Sequence, residues 1–243
     1  MIKPQHANAL MILIPAYNEG GAIRRVVTEV RTLLPQIPVL VIDDCSTDDT
    51  RTEALTAGAG VISVPYHLGL GGCVQAGYRY AYDAGFSYVI RIDGDGQHDP
   101  QFIPTLFRAL RDSRVQMVIG SRYLNGKVPA TSFARGVGIW FFRQVLKLIL
   151  EKEVHDPTSG FVGVNRQALE VFARSFPLEY PEIEALVVLQ RRQFRFEEVP
   201  VVMRPRMAGV STITALRSFY YVLHVLLGVV VNILKYEGKR RKG

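Results

Sequence analysis

Apolar residues in the first half of the chain alternate between two patterns. Short continuous runs at residues 10–15, 39–42, 61–64 and 88–92 read as buried strands. Between them, apolar positions recur at helical spacing. Ile23, Val26, Val27, Val30, Leu33 and Leu34 form one such stripe, and Pro35 closes it. Thr47 and Asp48 can cap a second helix running through Ala57, and residues 71–84 read as a third. Strand–helix alternation at this pitch predicts βαβ units, hence an α/β fold with a mostly parallel sheet flanked by helices. Ligands of such sheets bind beyond the carboxyl ends of the strands. Polar clusters occupy those ends here: Tyr17-Asn18-Glu19, Asp43-Asp44, and Asp93 through Asp99.

The second half is less regular. Residues 115–119 read as a strand, followed by a loop around Gly126 and Pro129. Residues 133–151 read as a helix and 156–160 as a loop. Helices near 167–174 and 181–192 follow, then a strand near 194–203. The chain closes with an apolar segment and a basic terminus, without internal repeat or low-complexity stretch.

Length and charge narrow the picture only partly. The 243 residues suffice for one substantial α/β domain plus an appendage. At 48% apolar, the chain can fill a core. A net charge of +7 and a pI near 9.5 suit anionic partners without choosing among nucleotides, phosphates, acidic lipid and nucleic acid. Cys45 and Cys73 match neither a disulfide framework nor a zinc-ligand spacing, so reduced cytosol is the simpler setting. The start, Met1 to His6, runs into an apolar strand without the features of a signal peptide.

The strongest chemical signal is Asp93-Gly94-Asp95-Gly96-Gln97-His98-Asp99-Pro100. If the strand geometry persists, residues 93, 95 and 97 share one side. Two carboxylates and an amide oxygen then aim at one point, a hard-oxygen set suited to Mg²⁺ or Mn²⁺ held jointly with a diphosphate. Such an ion neutralises charge building on a departing nucleotide diphosphate. A solvated Asp/Gly turn is the plainer reading; placement at a strand end favours the metal. After the first strand, Tyr17 and Glu19 can stack on a base and bond its edge. After the second, Asp43 or Asp44 can accept hydrogen bonds from a base or ribose. Asp48 and Asp49 read as ordinary acids of a helix N-terminus. A dinucleotide reading of glycines 69, 71 and 72 fails, because position 74 is valine and the motif belongs after the first strand. The five histidines are scattered, which argues against a histidine metal site.

Pro15-Ala16-Tyr17-Asn18-Glu19, the run from Asp43 to Thr50, and Asp93 to Pro100 lie in an order and spacing that resemble family 2 glycosyltransferases with the GT-A (Rossmann-like) fold. Gly120-Ser121-Arg122-Tyr123, Asp156 to Phe161, and Arg206, Gly209 and Ser211 extend the likeness over roughly residues 9–215. Within the family the chain is most similar to dolichol-phosphate (polyprenyl-phosphate) mannosyl- and glucosyltransferases. The resemblance implies that Pro15, Tyr17, Glu19 and Asp43 hold the nucleotide. It implies that Asp95 and Gln97 bind the metal, with Asp93 contacting the donor or the metal shell. Arg122 and Arg135 should contact the donor diphosphate or acceptor phosphate, and Asp156 should line the sugar site. Arg204 or Arg206, ahead of Gly209 and Ser211, should close over the donor. Two positions depart from the family pattern. His67 stands where Asn-Leu-Gly is frequent, and Ala134-Arg135-Gly136-Val137-Gly138 replaces a frequent Ser-Arg-x-Gly-Asn.

Residues 219–234 are sixteen, mostly apolar, interrupted by His224 and Asn232 and followed by Lys235, Lys239, Arg240, Arg241 and Lys242. That is short of the ~20 residues of a comfortable span. An interfacial helix on anionic lipid, a tilted single span and a helix packed on a partner subunit remain open, with membrane association favoured. The chain thus divides into a GT-A domain over residues 1–211 and a membrane-associated helix with basic tail over 212–243. Trp140, Phe141, Phe142, Leu146, Ile149 and Leu150 share a predicted helix with Arg135, Arg143 and Lys147, either a second membrane-facing element or an ordinary core helix.

The candidate arginines, without an obvious histidine base, point to an acceptor that is already anionic. A phosphate monoester, with a second pKa of about 6, meets that need. The expected reaction is transfer of a hexose, mannose or glucose, from GDP-mannose or UDP-glucose to polyprenyl phosphate at the cytoplasmic membrane face. The resemblance implies inversion at the anomeric carbon. Alternatives are transfer to a sugar hydroxyl, with Asp156 as base, and a sugar nucleotidyltransferase. Nucleic acid is disfavoured because basic residues gather near the tail and the phosphate site. Homo-oligomerisation is compatible with the sequence.

Overall fold

A computed structural model of the chain describes residues 9–112, 114–124, 144, 146, 147, 150 and 152–205. Seven strands form one sheet: β1 (Leu10–Ala16), β2 (Val39–Asp43), β3 (Gly60–Ser63), β4 (Tyr88–Arg91), β5 (Met117–Ser121), β6 (Val162–Asn165) and β7 (Phe196–Pro200), in the order β3-β2-β1-β4-β6-β5-β7. The helices whose two ends lie among the described residues are α1 (Ile23–Leu33), α2 (Thr50–Thr56), α3 (Gly69–Ala84), α4 (Ile103–Asp112), α5 (Arg166–Arg174) and α6 (Pro181–Arg191).

The apolar runs of β1, β2 and β4 became strands covered on both faces of the sheet, while β3 at the edge is half-buried. Along β1, Leu10, Ile12, Ile14 and Ala16 enter a core with α1, α2 and α4, while Met11 and Leu13 enter a second core with α3, α5 and α6. Successive strand side chains point to opposite faces, so a doubly covered strand is apolar except where a partner meets a polar group, as at Asp43 ending β2 and Arg91 ending β4. The predicted stripe on α1 holds at Ile23, Val26, Val27 and Val30, which are buried, but Leu33 in the last turn is exposed and Leu34 follows the helix.

Two segments with regular structure were not predicted. A 3₁₀ turn at Pro100–Phe102 leads into α4, whose Ile103, Leu106 and Leu110 are buried. Pro100 and Pro104 look like breakers, but both fall where a helix begins and proline costs least. The second is β6, four residues long and antiparallel to β4 and β5 in an otherwise parallel sheet. Its orientation matters for the site. An antiparallel strand starts where its neighbours end, so the segment leading into β6 lies at the carboxyl ends of β4 and β5.

Of the predicted helix over 133–151, only residues 144, 146, 147 and 150 are described; all are helical, and Leu146 and Leu150 are buried in the α3–α5–α6 core. The predicted boundary at 211/212, the segment 219–234 and the basic tail lie outside the described residues. Among the described residues no helix is long and apolar enough to cross a membrane.

Candidate active site

The loops after β1 and β2 are tied together. Asn18 has φ 53°, a left-handed conformation that asparagine tolerates better than most residues. Its amide oxygen accepts the Thr47 N–H at 2.9 Å, and its own N–H donates to Ser46 Oγ at 3.0 Å. The Glu19 N–H donates to Thr50 Oγ1 at 2.8 Å. Asp48 accepts the Gly20 N–H at 2.9 Å and the Thr50 N–H at 3.0 Å, and it also accepts the Thr50 hydroxyl. Burial pushes the Asp48 carboxyl up, but these donors outweigh it and hold its pKa below the usual range. Asp48 is therefore more than an acid at a helix start: it clamps the loop that carries Tyr17 and Glu19.

Asp43 and Asp44 are both buried, and they serve different partners. Asp43 Oδ1 accepts the Ser46 N–H at 3.2 Å and Oδ2 accepts the Ser63 hydroxyl at 2.8 Å. Asp44 accepts the N–H groups of Leu68 at 2.6 Å and Gly69 at 2.9 Å, at the start of α3. A carboxylate there meets free N–H donors and the positive end of the helix dipole. Burial, with Asp44 alongside, pushes the Cys73 thiol well up. Pro15 lies in β1 beyond Leu13, the last β1 residue paired with β4, where it interrupts no β1–β4 bond.

β4 ends in the acidic loop. The Asp93 N–H donates to His98 Nδ1 at 2.9 Å, so His98 folds the loop back on its start. His98 stacks on Phe161, with ring centroids 5.0 Å apart. Burial pulls the His98 pKa down; Asp93 and Asp95 oppose this, while Arg91 and Arg122 reinforce it. Asp95 is buried and its Oδ1 accepts the Gln97 N–H at 3.0 Å. Gly96 has φ 78°, which a side chain would strain. Asp93, Asp95 and Gln97 offer oxygen donors only, and the Nδ1 of the loop's imidazole is already engaged. That set fits a hard divalent cation that completes its shell with diphosphate oxygens and water. Among the described residues, no three His, Cys, Asp or Glu side chains form a ready-made cation cage.

The antiparallel β6 brings its preceding loop onto this one. Arg91 is fully buried; its Nε donates to the Gly160 carbonyl at 2.8 Å and its Nη2 to Glu182 Oε1 at 2.7 Å. Burial alone would lower the Arg91 pKa, but Glu182 and Asp93 hold it up. Arg122, just past β5, grips Asp156 with Nε to Oδ2 at 2.7 Å and Nη2 to Oδ1 at 2.6 Å, and its backbone N–H reaches Oδ2 at 3.0 Å. Asp156 is fully buried. Glu198 on β7 supports the same loop, accepting the N–H groups of His155 at 2.9 Å and Asp156 at 2.7 Å, with His155 Nδ1 at 2.9 Å. Beyond β7, the Arg204 N–H bonds the Gln97 carbonyl at 2.9 Å and its guanidinium pairs with Asp99 at 2.8 Å and with Glu29.

One end of the sheet thus gathers Pro15, Tyr17, Glu19, Asp43, Asp93, Asp95, Gln97, Arg122, Asp156 and Arg204. Arg135, Arg206 and Ser211 lie outside the described residues. Sequence reasoning missed Asp44 as the α3 cap, His98 as the brace, Glu198 as the loop anchor and the Arg91–Glu182 pair. A charged residue inside an apolar run was the one available signal for Arg91. The partners of these groups are remote in sequence.

A family model described as Glycosyl transferase family 2 matches residues 11–172. The chain is 29% identical over 217 residues to undecaprenyl-phosphate mannosyltransferase of Micrococcus luteus, covering 83% of this chain and 86% of that one. It is 28% identical over 222 residues to polyprenol monophosphomannose synthase of Mycolicibacterium smegmatis, covering 83% and 79%. Among solved structures, it superimposes on glucosyl-3-phosphoglycerate synthase of Mycobacterium tuberculosis in complex with Mn²⁺, UDP-glucose and phosphoglyceric acid. The TM-score is 0.70 at 25% identity, over 92% of this chain and 80% of the other.

Proposed function

The chain belongs to glycosyl transferase family 2, and from that premise we propose that it moves a hexose from a nucleotide sugar to a polyprenyl phosphate at a membrane surface. The observation that carries the acceptor class is the state of Asp156. A sugar hydroxyl needs a general base within reach. Asp156, the carboxylate proposed for the sugar site, is buried and both its oxygens are held by Arg122. Both its oxygens are thereby committed to Arg122 and not free to serve an acceptor hydroxyl. A phosphate monoester needs no base, because with a second pKa of about 6 it is anionic near neutrality. It needs positive charge to position it. Arg122 keeps 29% of its side chain exposed beside the acidic loop. The mannosyltransferase relatives, whose names carry polyprenyl-type lipids, support the same reading.

In this mechanism Tyr17, Glu19 and Asp43 hold the nucleotide. Asp93, Asp95 and Gln97 would hold Mg²⁺ or Mn²⁺, which supplies Lewis-acid stabilisation of the departing diphosphate. Arg122 orients the acceptor phosphate. An acceptor oxygen attacks the anomeric carbon from the side opposite the leaving group, the bond to the diphosphate oxygen breaks, and configuration inverts. Arg135, Arg206 and Ser211 belong to the acceptor and closing segments in this reading. The cytoplasmic face, where nucleotide sugars are made available, is the proposed setting.

The test is a donor–acceptor assay with labelled GDP-mannose or UDP-glucose, polyprenyl phosphate, and Mg²⁺ or Mn²⁺ against an EDTA control. Metal-dependent label in the lipid fraction is the expected outcome. Transfer to sugar hydroxyls with none to the lipid phosphate would refute the acceptor class. Release of pyrophosphate in place of nucleoside diphosphate would instead identify a nucleotidyltransferase.

A further inference from the structure

The loops after β1, β2 and β3 bring together Tyr17, Asp44 and His67. The Tyr17 and His67 rings lie 4.3 Å apart between centroids, with their planes inclined by 40°. His67 Nδ1 is 2.9 Å from Asp44 Oδ2. Asp44 cannot swing, because it also accepts the N–H groups of Leu68 and Gly69 and its side chain is 4% exposed. Against a carboxylate oxygen, which only accepts, Nδ1 is the donor, and this contact holds the ring in place. Tyr17 is 46% exposed and the His67 side chain 55% exposed. Two half-exposed rings, one anchored to a buried carboxylate, thus stand beyond the ends of β1 and β3, with the carboxylate after β2 between them.

We infer that His67 is a positioning residue for the base of the nucleotide-sugar donor: anchored by Asp44, it packs against Tyr17 and presets that ring as a wall on which the base stacks. The inference rests on the donor site proposed above. An exposed tyrosine on a loop has several rotamers, and a neighbour that selects one removes an ordering cost from binding. Stacking on an aromatic face is tolerant of base identity, so the contribution falls on affinity for purine and pyrimidine donors alike. The base lies remote from the anomeric carbon, so the effect belongs in KM and leaves the bond-breaking step alone.

Two substitutions separate the ring from its anchor. His67→Asn keeps an amide that can donate to Asp44 and removes the ring. His67→Phe keeps a ring and removes the bond. Binding of GDP, UDP and inorganic pyrophosphate, each with Mg²⁺, is measured by calorimetry for the full chain, alongside donor kinetics. His67→Asn is expected to weaken both nucleoside diphosphates about five- to tenfold. Pyrophosphate binding stays at the wild-type level, and donor KM rises by the same factor with kcat unchanged. His67→Phe is expected to recover most of that loss. The inference is overturned if His67→Asn binds nucleoside diphosphates like the wild type, if pyrophosphate weakens equally, or if kcat falls while KM stays. It is also overturned if both variants lose equally. If the wild-type protein binds neither nucleoside diphosphate, the donor site itself fails, which is a different result from an unchanged His67→Asn.

Discussion

Replacing Gly160 by alanine tests whether the loop before β6 sets the position of the acidic loop. An alanine Cβ would sit 2.7 Å from Asp93 Oδ2, 3.0 Å from Oδ1 and 2.9 Å from Arg91 Nη2. Ordinary contact begins near 3.4 Å, so a carboxylate oxygen must retreat by roughly 0.7 Å. Arg91 cannot yield, since it is buried and bonded to both the Gly160 carbonyl and Glu182. Asp93 can, because its side chain is 36% exposed. Moving the flexible carboxylate relieves the Asp93 contacts but leaves the 2.9 Å contact with the fixed Arg91 Nη2, so the stability cost should sit in the upper part of the overpacking range, about 2–3 kcal/mol. An activity cost should come on top of it. A misplacement of about 1 Å can cost about a hundredfold, so a loss of roughly ten- to a hundredfold in kcat/KM is expected. Sugar transfer measured across a titration of Mn²⁺ or Mg²⁺, with urea unfolding of the same sample, separates the two. Wild-type kcat/KM at limiting metal would refute the reasoning, whatever the stability. So would an unchanged stability, since the Arg91 contact has no flexible partner to relieve it.

Glu182→Ala should cost about 3–5 kcal/mol in urea unfolding, because it leaves the buried Arg91 guanidinium without its counter-charge; a loss below about 1 kcal/mol would show that Arg91 finds other relief. Asp48→Asn tests the clamp between the first two loops. The folded Asp48 pKa is lowered from 3.8, so its charge contributes stability that is present above 3.8 and lost as pH falls through the folded value. The gap in melting temperature between wild type and Asp48→Asn should therefore be open at pH near 7 and close in acid; a gap independent of pH would refute a charge contribution. Alkylation of the native protein should modify the exposed Cys45 and spare the buried Cys73, whose thiol is pushed up. Because Cys45 lies in the loop after β2, nucleoside diphosphate should slow its modification. Labelling at Cys73, or labelling of Cys45 indifferent to nucleotide, would count against the site.

Much of the framework was legible in the chain. The runs that became β1, β2 and β4 carry their own signal, because a strand covered on both faces is apolar over most of its length, whereas the edge strand β3 is only half-buried. The stripe of α1 follows equally from one face meeting the core. The acidic loop, the Tyr17 loop and the Asp43 loop were placed at strand ends by the same reasoning, and the order of motifs pointed to the family. Pro104 hid α4, and a glycine in a four-residue strand hid β6. The C-terminal segment that carries the membrane expectation lies outside the described residues.

The partners inside the site were not legible. Arg91 and Glu182 are 91 residues apart, Arg122 and Asp156 are 34 apart, and Glu198 reaches back 42 residues to Asp156. Periodicity reports which face of an element is buried, since it arises from neighbours a few residues away. It carries no information about which strand lies beside which. That depends on the order β3-β2-β1-β4-β6-β5-β7 and on one reversed strand that delivers the Asp156 loop to the end of β4. Local pattern thus determined the elements and the chemistry available at their ends. Sheet order and strand direction decided which charges met, because a buried charge is stable only beside the partner that the fold brings to it.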